Sequence, residues 1–387
     1  MAALEPPPPE PEPERPTRMP VCQNSAFDEG ELDNRRMTAA QCDAMFGPRL
    51  FHELDLARRH YASVGGISRR DVERAGEDAT ARVQISHERI YLKSTGFAPN
   101  SRGFAALQSL HEAVLSSPEP IPDLDFSMSL MDAGDISPAR WVLDRVDDEA
   151  GRAWLMPDFA FSSWPEPYVG AWHDFRCRAD AIERNLTWAD KTPLLFWRGV
   201  TMTDGRRELV EMTDRYDWLD ARSIDWSDAA GQRNAAIISM PDHCRYQFLA
   251  QAEGFAYSGR LKYLLLCASV VVSHQPKYTQ HFHSFFDASP ASPDQNIVIL
   301  DGPGWSGLDE AMRSLLRPGG TRAQRIARNA RRDFVKYLSP AATACYWRRA
   351  LRTYAEQLNA DVFPLDRTDA IDLESFMLTR TMIWSPA

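Results

Sequence analysis

The spacing of apolar positions changes repeatedly along the chain, and each change marks an element. Phe104, Leu107, Leu110 and Val114 recur at helical period between Gly103 and Ser116, and Pro120 and Pro122 stop that run. Residues 125–131 (DFSMSLM) alternate instead, as a strand does, and end at the turn-forming Asp132-Ala133-Gly134-Asp135. Upstream, Gly65-Gly66 breaks the chain before a helical stretch opened by Ser68, and residues 83–92 alternate enough for a strand around Arg89–Leu92. Residues 162–166 read as a loop with aromatic walls, because Pro165 excludes a central strand. Residues 172–190 predict an amphipathic helix. A short buried strand at 193–197 runs into Arg198-Gly199 and a helix-like 206–213. Residues 244–250 (CRYQFLA), 260–267 (RLKYLLLC) and 270–273 (VVVS) read as strand, helix and strand, a span of the size of one βαβ crossover. A further strand is predicted at 296–300, and helices at 313–332 and 346–358, while 359–387 show little periodicity. Helices alternating with strands that end in polar loops predict an α/β fold.

The length of 387 residues suits two domains with a remainder. Residues 1–20 hold eight of the 27 prolines, interleaved with glutamate, so residues 1–35 are expected to be an acidic, disordered tail or spacer. A balance of 44 Lys+Arg against 54 Asp+Glu gives −10, which argues against nucleic acid as the partner. The longest apolar run, 264–272, falls well short of the roughly 20 residues of a membrane span. No signal peptide is visible, so the protein is expected to be cytosolic or to begin downstream of a targeting segment. The six cysteines form no C-x-x-C and the nine histidines no H-E-x-x-H, so no metal is expected. Asp123-Leu124-Asp125 spells a D-x-D, read as coincidence.

Candidate chemistry gathers at two places. Strand, Arg198-Gly199 and helix start form an arrangement that aims backbone N–H groups at an anion, although most such turns are only connections. Arg260 and Lys262 stand at a helix start, where the dipole disfavours cations. They are expected to hold an anion, the alternative being that they reach solvent or pair with Glu253. The arginines of 313–332 read as a solvated basic face, and Asp132 by itself as a strand-end turn carboxylate.

Residues 253–264 (EGFAYSGRLKYL) resemble the hallmark of glycosyltransferase family 90, the fungal capsule-associated and protein O-glucosyltransferase-like family. Gly65-Gly66-Ile67-Ser68, Ile121-Pro122-Asp123, Phe161–Glu166, Trp197-Arg198-Gly199 with Arg206, and Cys345-Tyr346-Trp347 follow in the family's order, so the resemblance covers about residues 60–355. It implies a GT-B-like architecture of two Rossmann-like domains facing across a cleft. Residues 36–190 would form the acceptor-side domain, 191–355 the UDP-sugar-binding domain, and 356–387 a tail. It also implies inverting, metal-independent hexosyl or pentosyl transfer, of glucose or xylose, from a UDP-sugar to a hydroxyl of a glycan or protein.

By the same resemblance Asp132 is the general base. Arg198, Gly199, Arg206, Gly254, Ser258, Arg260 and Lys262 hold the UDP-sugar, and Trp164 and Glu166 face the acceptor. Cys244 and Cys267 match a family disulfide, and Cys345 a cysteine that pairs with the amino-terminal region, through Cys22 or Cys42. No cofactor is implied beyond the donor substrate, and the compartment is the secretory pathway, Golgi or ER lumen, with no anchor in this chain. Ala133-Gly134-Asp135 stand where the glucosyltransferases carry an aromatic and a proline, which leaves the acceptor open. The alternative is a catalytically silent nucleotide- or glycan-binding protein of the same fold.

Overall fold

A computed structural model describes residues 29–93, 101–132, 134, 136–164, 168–226 and 236–383, with side chains to 378. Two sheets organise them. The first has the order β13-β2-β1-β3-β4-β5, from β1 (Ala81–Ser86), β2 (Arg89–Lys93), β3 (Leu124–Met128), β4 (Arg140–Val142), β5 (Trp154–Leu155) and β13 (Ala370–Asp372). β1 pairs antiparallel with both β2 and β3, while β3, β4 and β5 run parallel. A small hairpin of β6 (Ser163–Trp164) and β7 (Gly170–Ala171) stands apart.

The second sheet is wholly parallel, with the order β12-β11-β10-β8-β9. Its strands are β8 (Thr192–Gly199), β9 (Leu219–Ser223), β10 (Tyr246–Gln251), β11 (Val270–Ser273) and β12 (Val298–Ile299). Both faces are buried, and the side chains divide by the period of two. Leu195, Trp197, Phe248, Ala250, Val270 and Val272 enter one apolar core. Phe196, Leu249 and Val271 enter another, which continues into the first sheet. Such continuity holds the two sheets in one packed body, since burying shared apolar surface stabilises by roughly 25 cal/mol per Å².

Several elements depart from the sequence pattern. The stretch 83–92 is two strands, joined by a turn at His87 and Glu88 with φ +50° and +63°. Neither residue advertises a left-handed turn; Asp123 Oδ1 holds it by accepting the His87 N–H at 2.8 Å. The strand expected at 244–250 starts later, after a 3-10 turn over Pro241–Arg245. The helix expected at 260–267 spans only Leu261–Leu265. The arginine-rich segment is divided between the helices Leu308–Leu315 and Arg322–Tyr337.

The termini also differ from expectation. Residues 1–28 of the expected tail lie outside the described residues. Glu29–Leu32 is a helical turn, and Asp33 meets Arg176 at 2.6 Å, so packed chain begins before residue 36. At the other end, helix Pro340–Ala355 brings Trp347 and Tyr354 against Trp141 of the first sheet. Cys345 on that helix is bonded to Cys42. The expected tail 356–387 then supplies β13, which pairs with β2, and the helix Leu373–Ile383. Edge pairing through three residues needs little periodicity, which is why this return is silent in the sequence.

Candidate active site

The strand order of the second sheet predicts where a ligand belongs. β8 comes first in the chain, with β9 on one side and β10 on the other, so the winding direction reverses between β8 and β10. Connections leaving a sheet at such a switch point diverge and leave a crevice at the strands' carboxyl ends. Arg198-Gly199 closes β8 there, and Glu253-Gly254 follows β10. The crevice opens into a cavity of about 820 Å³ whose lining includes Asp132, Trp164, Arg198, Gly199, Arg206, Gly254, Ser258 and Arg260.

Three arginines line this wall and are used differently. Arg198 donates to the carbonyls of Trp197 and Asp220, both at 2.8 Å, and to the Asp220 carboxylate at 2.7 Å. Arg206 donates to the carbonyls of Glu253, Val200 and Ala252, at 2.8, 3.2 and 3.3 Å. That binding braces the loops after β8 and β10 against each other. Arg260 has no carboxylate or carbonyl partner among the described residues and lies 5.4 Å over the Trp197 ring. Burial and the neighbouring Arg206 push its guanidinium down to about 9. A desolvated cation set beside another cation on a cavity wall is arranged to meet an anion.

Two glycines permit this arrangement by having no side chain. A Cβ on Gly199 would stand 2.9 Å from an Arg260 terminal nitrogen and 2.8 Å from the Trp197 ring. A Cβ on Gly259 would stand 3.0 Å from the Trp164 ring. Trp164, from the β6–β7 hairpin, therefore packs directly on the Ser258–Arg260 loop. It meets Phe159 edge-on at 5.5 Å, with the Arg102 guanidinium 5.8 Å from its ring centroid.

Asp132 is exposed and reaches the same cavity from the loop after β3. The other proton acceptor on the lining is His243. Burial and Arg260 push that imidazole down to about 3, so it is a poor base at neutral pH. Among the described lining residues Asp132 is the one carboxylate.

Lys262 departs from its expected place. It points away from the cavity and meets the Asp158 carboxylate at 2.7 Å, with both groups buried. Its second acceptor is the Gly259 carbonyl, at 2.8 Å. Asp158 also accepts from Gln280 Nε2 at 3.2 Å and from the Ala160 N–H at 2.8 Å. The anion that Lys262 holds is internal. Glu166 lies outside the described residues.

Cys244 and Cys267 are bonded to each other and close the β10-to-β11 segment. Their sulfurs, near Glu183, resemble a ligand cluster in outline. A disulfide has no thiolate to give a metal, and Glu183 is taken by Lys191 at 2.8 Å and by the Ala268 N–H at 2.9 Å. The D-x-D oxygens are engaged as well: Asp123 caps the β1–β2 turn, and Asp125 takes Arg82 and Gln84.

The sequence matches glycosyl transferase family 90 over residues 38–383. It is 26% identical to the O-glucosyltransferase rumi of Drosophila pseudoobscura pseudoobscura over 323 residues, covering 78% of this chain and 76% of that protein. Protein O-glucosyltransferase 1 of Bos taurus is 22% identical over 323 residues, 77% of this chain and 78% of that one. The Homo sapiens protein of that name is 21% identical over the same shares. With the match running from the first packed helices to the returning carboxyl-terminal one, this chain belongs to glycosyl transferase family 90 and is a glycosyltransferase.

Proposed function

We propose that the protein transfers a sugar, glucose or xylose, from a UDP-sugar to an acceptor hydroxyl with inversion at the anomeric carbon. The sheets act as the two halves of a GT-B enzyme. The acceptor half is residues 36–190 together with the returning segment after Pro340. The donor half is 191–339, with the diphosphate at the switch point between β8 and β10. The observation that carries this reading is the pairing of an unspent arginine, Arg260, with an accessible carboxylate, Asp132, in one cavity.

Inversion requires the acceptor oxygen to attack from the face opposite the departing diphosphate, through a transition state of oxocarbenium character. Asp132 takes the hydroxyl proton as the new bond forms, which is worth about 10²–10⁴-fold. The electron pair of the breaking bond ends on the diphosphate oxygen. Arg260 answers that charge directly. Arg198 and Arg206 add fixed positive charge whose orientation their protein partners have already set. Fixed guanidinium charge performs the neutralisation that a divalent ion would otherwise supply, so transfer is expected without added metal. Ser258 and Gly254 let the donor approach the backbone, and Trp164 walls the acceptor side. The buried disulfides Cys42–Cys345 and Cys244–Cys267 fit the oxidising lumen of the secretory pathway.

Asp132→Asn tests the reading. Turnover with UDP-glucose and UDP-xylose, counted as transfer and as donor hydrolysis, is expected to fall by about 10²-fold or more. UDP affinity by calorimetry is expected to be unchanged. Retained turnover removes Asp132 from the base role, and failure of the native protein to bind UDP removes the donor site.

A further inference from the structure

Asp144 has no part in the mechanism above, yet it stands beside it. It lies just past the end of β4 and is 2% exposed. Among the described residues neither of its carboxyl oxygens has a hydrogen-bond partner. Buried polar groups are almost always satisfied, so a carboxyl with both oxygens orphaned asks for an explanation.

Its surroundings supply one. β3 and β4 are paired in parallel, Met128 opposite Trp141, so their carboxyl ends lie side by side. The loop that carries Asp132 folds back over the end of β4. A Cβ on Gly134 would stand 3.3 Å from Val142 Cγ1 and 3.0 Å from Ser129 Oγ. Leu143, immediately before Asp144, lines the active cavity. Arg145, immediately after, exchanges backbone hydrogen bonds with Thr279 at 3.1 and 2.8 Å. Asp144 is thus clamped behind the cavity wall and cannot swing to solvent.

Among the described residues the charges acting on it come from several elements and are acidic. Asp132 faces it from the loop after β3, Glu253 from beyond β10, and Glu149 from its own following turn. The phenols of Tyr257 and Tyr278 also feel its charge. Arg145 is its sequence neighbour, but that guanidinium is spent on Glu53 at 2.7 and 2.9 Å. Glu253 accepts the Lys277 and Tyr278 N–H groups.

We propose that Asp144 is a positioning residue for transfer, holding a proton behind Asp132 and, on losing it, strengthening Asp132 as a base. The idea rests on Asp132 being the base. Burial and then Asp132 push the Asp144 carboxyl up to about 7. Below that pH Asp132 has a neutral neighbour. Above it, a fixed negative charge favours proton uptake by Asp132. In the transfer step the acceptor proton still passes to Asp132 and the leaving pair to the diphosphate. Asp144 keeps its own protonation state throughout.

The experiment is kcat against pH, from about 5.5 to 8.5, a window bracketing the Asp144 ionisation. Native protein, Asp144→Asn and Asp144→Ser are compared, with UDP affinity and Tm at each pH and Asp132→Asn alongside. Native kcat is expected to rise about threefold or more through neutrality. Both Asp144 variants are expected to stay flat at the native low-pH level, with UDP affinity unchanged. At the alkaline end both should also melt above the native protein, which alone buries a charge there. A rise that persists in either folded variant overturns the proposal, as does an equal loss of kcat at every pH, which marks a packing role. If Asp132→Asn keeps its turnover, the base assignment itself is what fails, and the proposal falls with it.

Discussion

Removing the Arg260 guanidinium isolates the proposed grip on the diphosphate. Truncating Arg198 would leave the Asp220 carboxylate to Arg222 alone, and truncating Arg206 would release three carbonyls, so either change mixes binding with folding. Arg260 carries no such bonds among the described residues and rests on Trp197 with Gly199 beneath it. Each hydrogen bond from a charged donor contributes about 1.5–3 kcal/mol. A two-pronged contact approaches twice that, and relief of the repulsion from Arg206 in the variant returns part of it. The net expected loss in Arg260→Ala is about 2–3 kcal/mol, or roughly 30- to 150-fold in the Kd for UDP.

Calorimetry with UDP, UMP and uridine reads this directly. UDP should weaken by that factor, UMP by less, and uridine not at all, if the guanidinium meets phosphate and not base as proposed. Thermal shift gives a second reading. UDP at 100 times the native Kd stabilises the native protein by about 2.7 kcal/mol, and a variant with 100-fold weaker binding by only about 0.4 kcal/mol. Arg260→Lys should recover part of the affinity as a point charge without the fork. Native-like UDP binding in Arg260→Ala refutes the reasoning, and so does an equal loss of uridine.

Two further perturbations test the parts around that grip. Lys262→Met leaves the Asp158 carboxylate buried with Gln280 as its remaining side-chain partner. Breaking a buried pair in this way is expected to cost about 3–5 kcal/mol in chemical denaturation while the folded variant keeps its UDP affinity. Lost affinity at unchanged stability would return Lys262 to the donor site. Gly259→Ala drives a methyl into Trp164, 3.0 Å away, and is expected to destabilise by about 1–3 kcal/mol. Adding Trp164→Ala should cancel most of that cost in a double-mutant cycle; additive effects would mean that the two residues do not meet.

Strength of pattern separates the elements that could be read from those that could not. β8, β10 and β11 are buried on both faces, so continuous apolar runs such as VVVS announce them. β5 is two residues long, and β9 reads LDARS with two exposed positions, so neither offers a period to detect. β13 becomes a strand only because the edge of β2 is there to pair with it. The turn that separates β1 from β2 lacks glycine and depends on Asp123 from a distant segment, so it was unreadable locally. Asp144 was missed for a related reason. A single aspartate in VLDRVDDE carries no motif, and its burial follows from the clamp between Arg145 and Thr279.

The cations at the start of the Leu261–Leu265 helix show where local electrostatics stops being sufficient. Their position is unfavourable for the helix, which implies that each has a reason to be there. Sequence alone does not say whose anion supplies it. For Lys262 the anion is Asp158, more than a hundred positions away along the chain, and only tertiary packing brings it within 2.7 Å. That same packing sharpens the case for Arg260. The Asp158 carboxylate is taken, Asp220 belongs to Arg198, and Glu253 is engaged by backbone amides. With these carboxylates engaged among the described residues, the proposed reading balances the charge of Arg260 with a donor diphosphate at the switch point. Among the described residues lining that cavity the one carboxylate is Asp132, and the proposed mechanism needs it left free to take the acceptor proton.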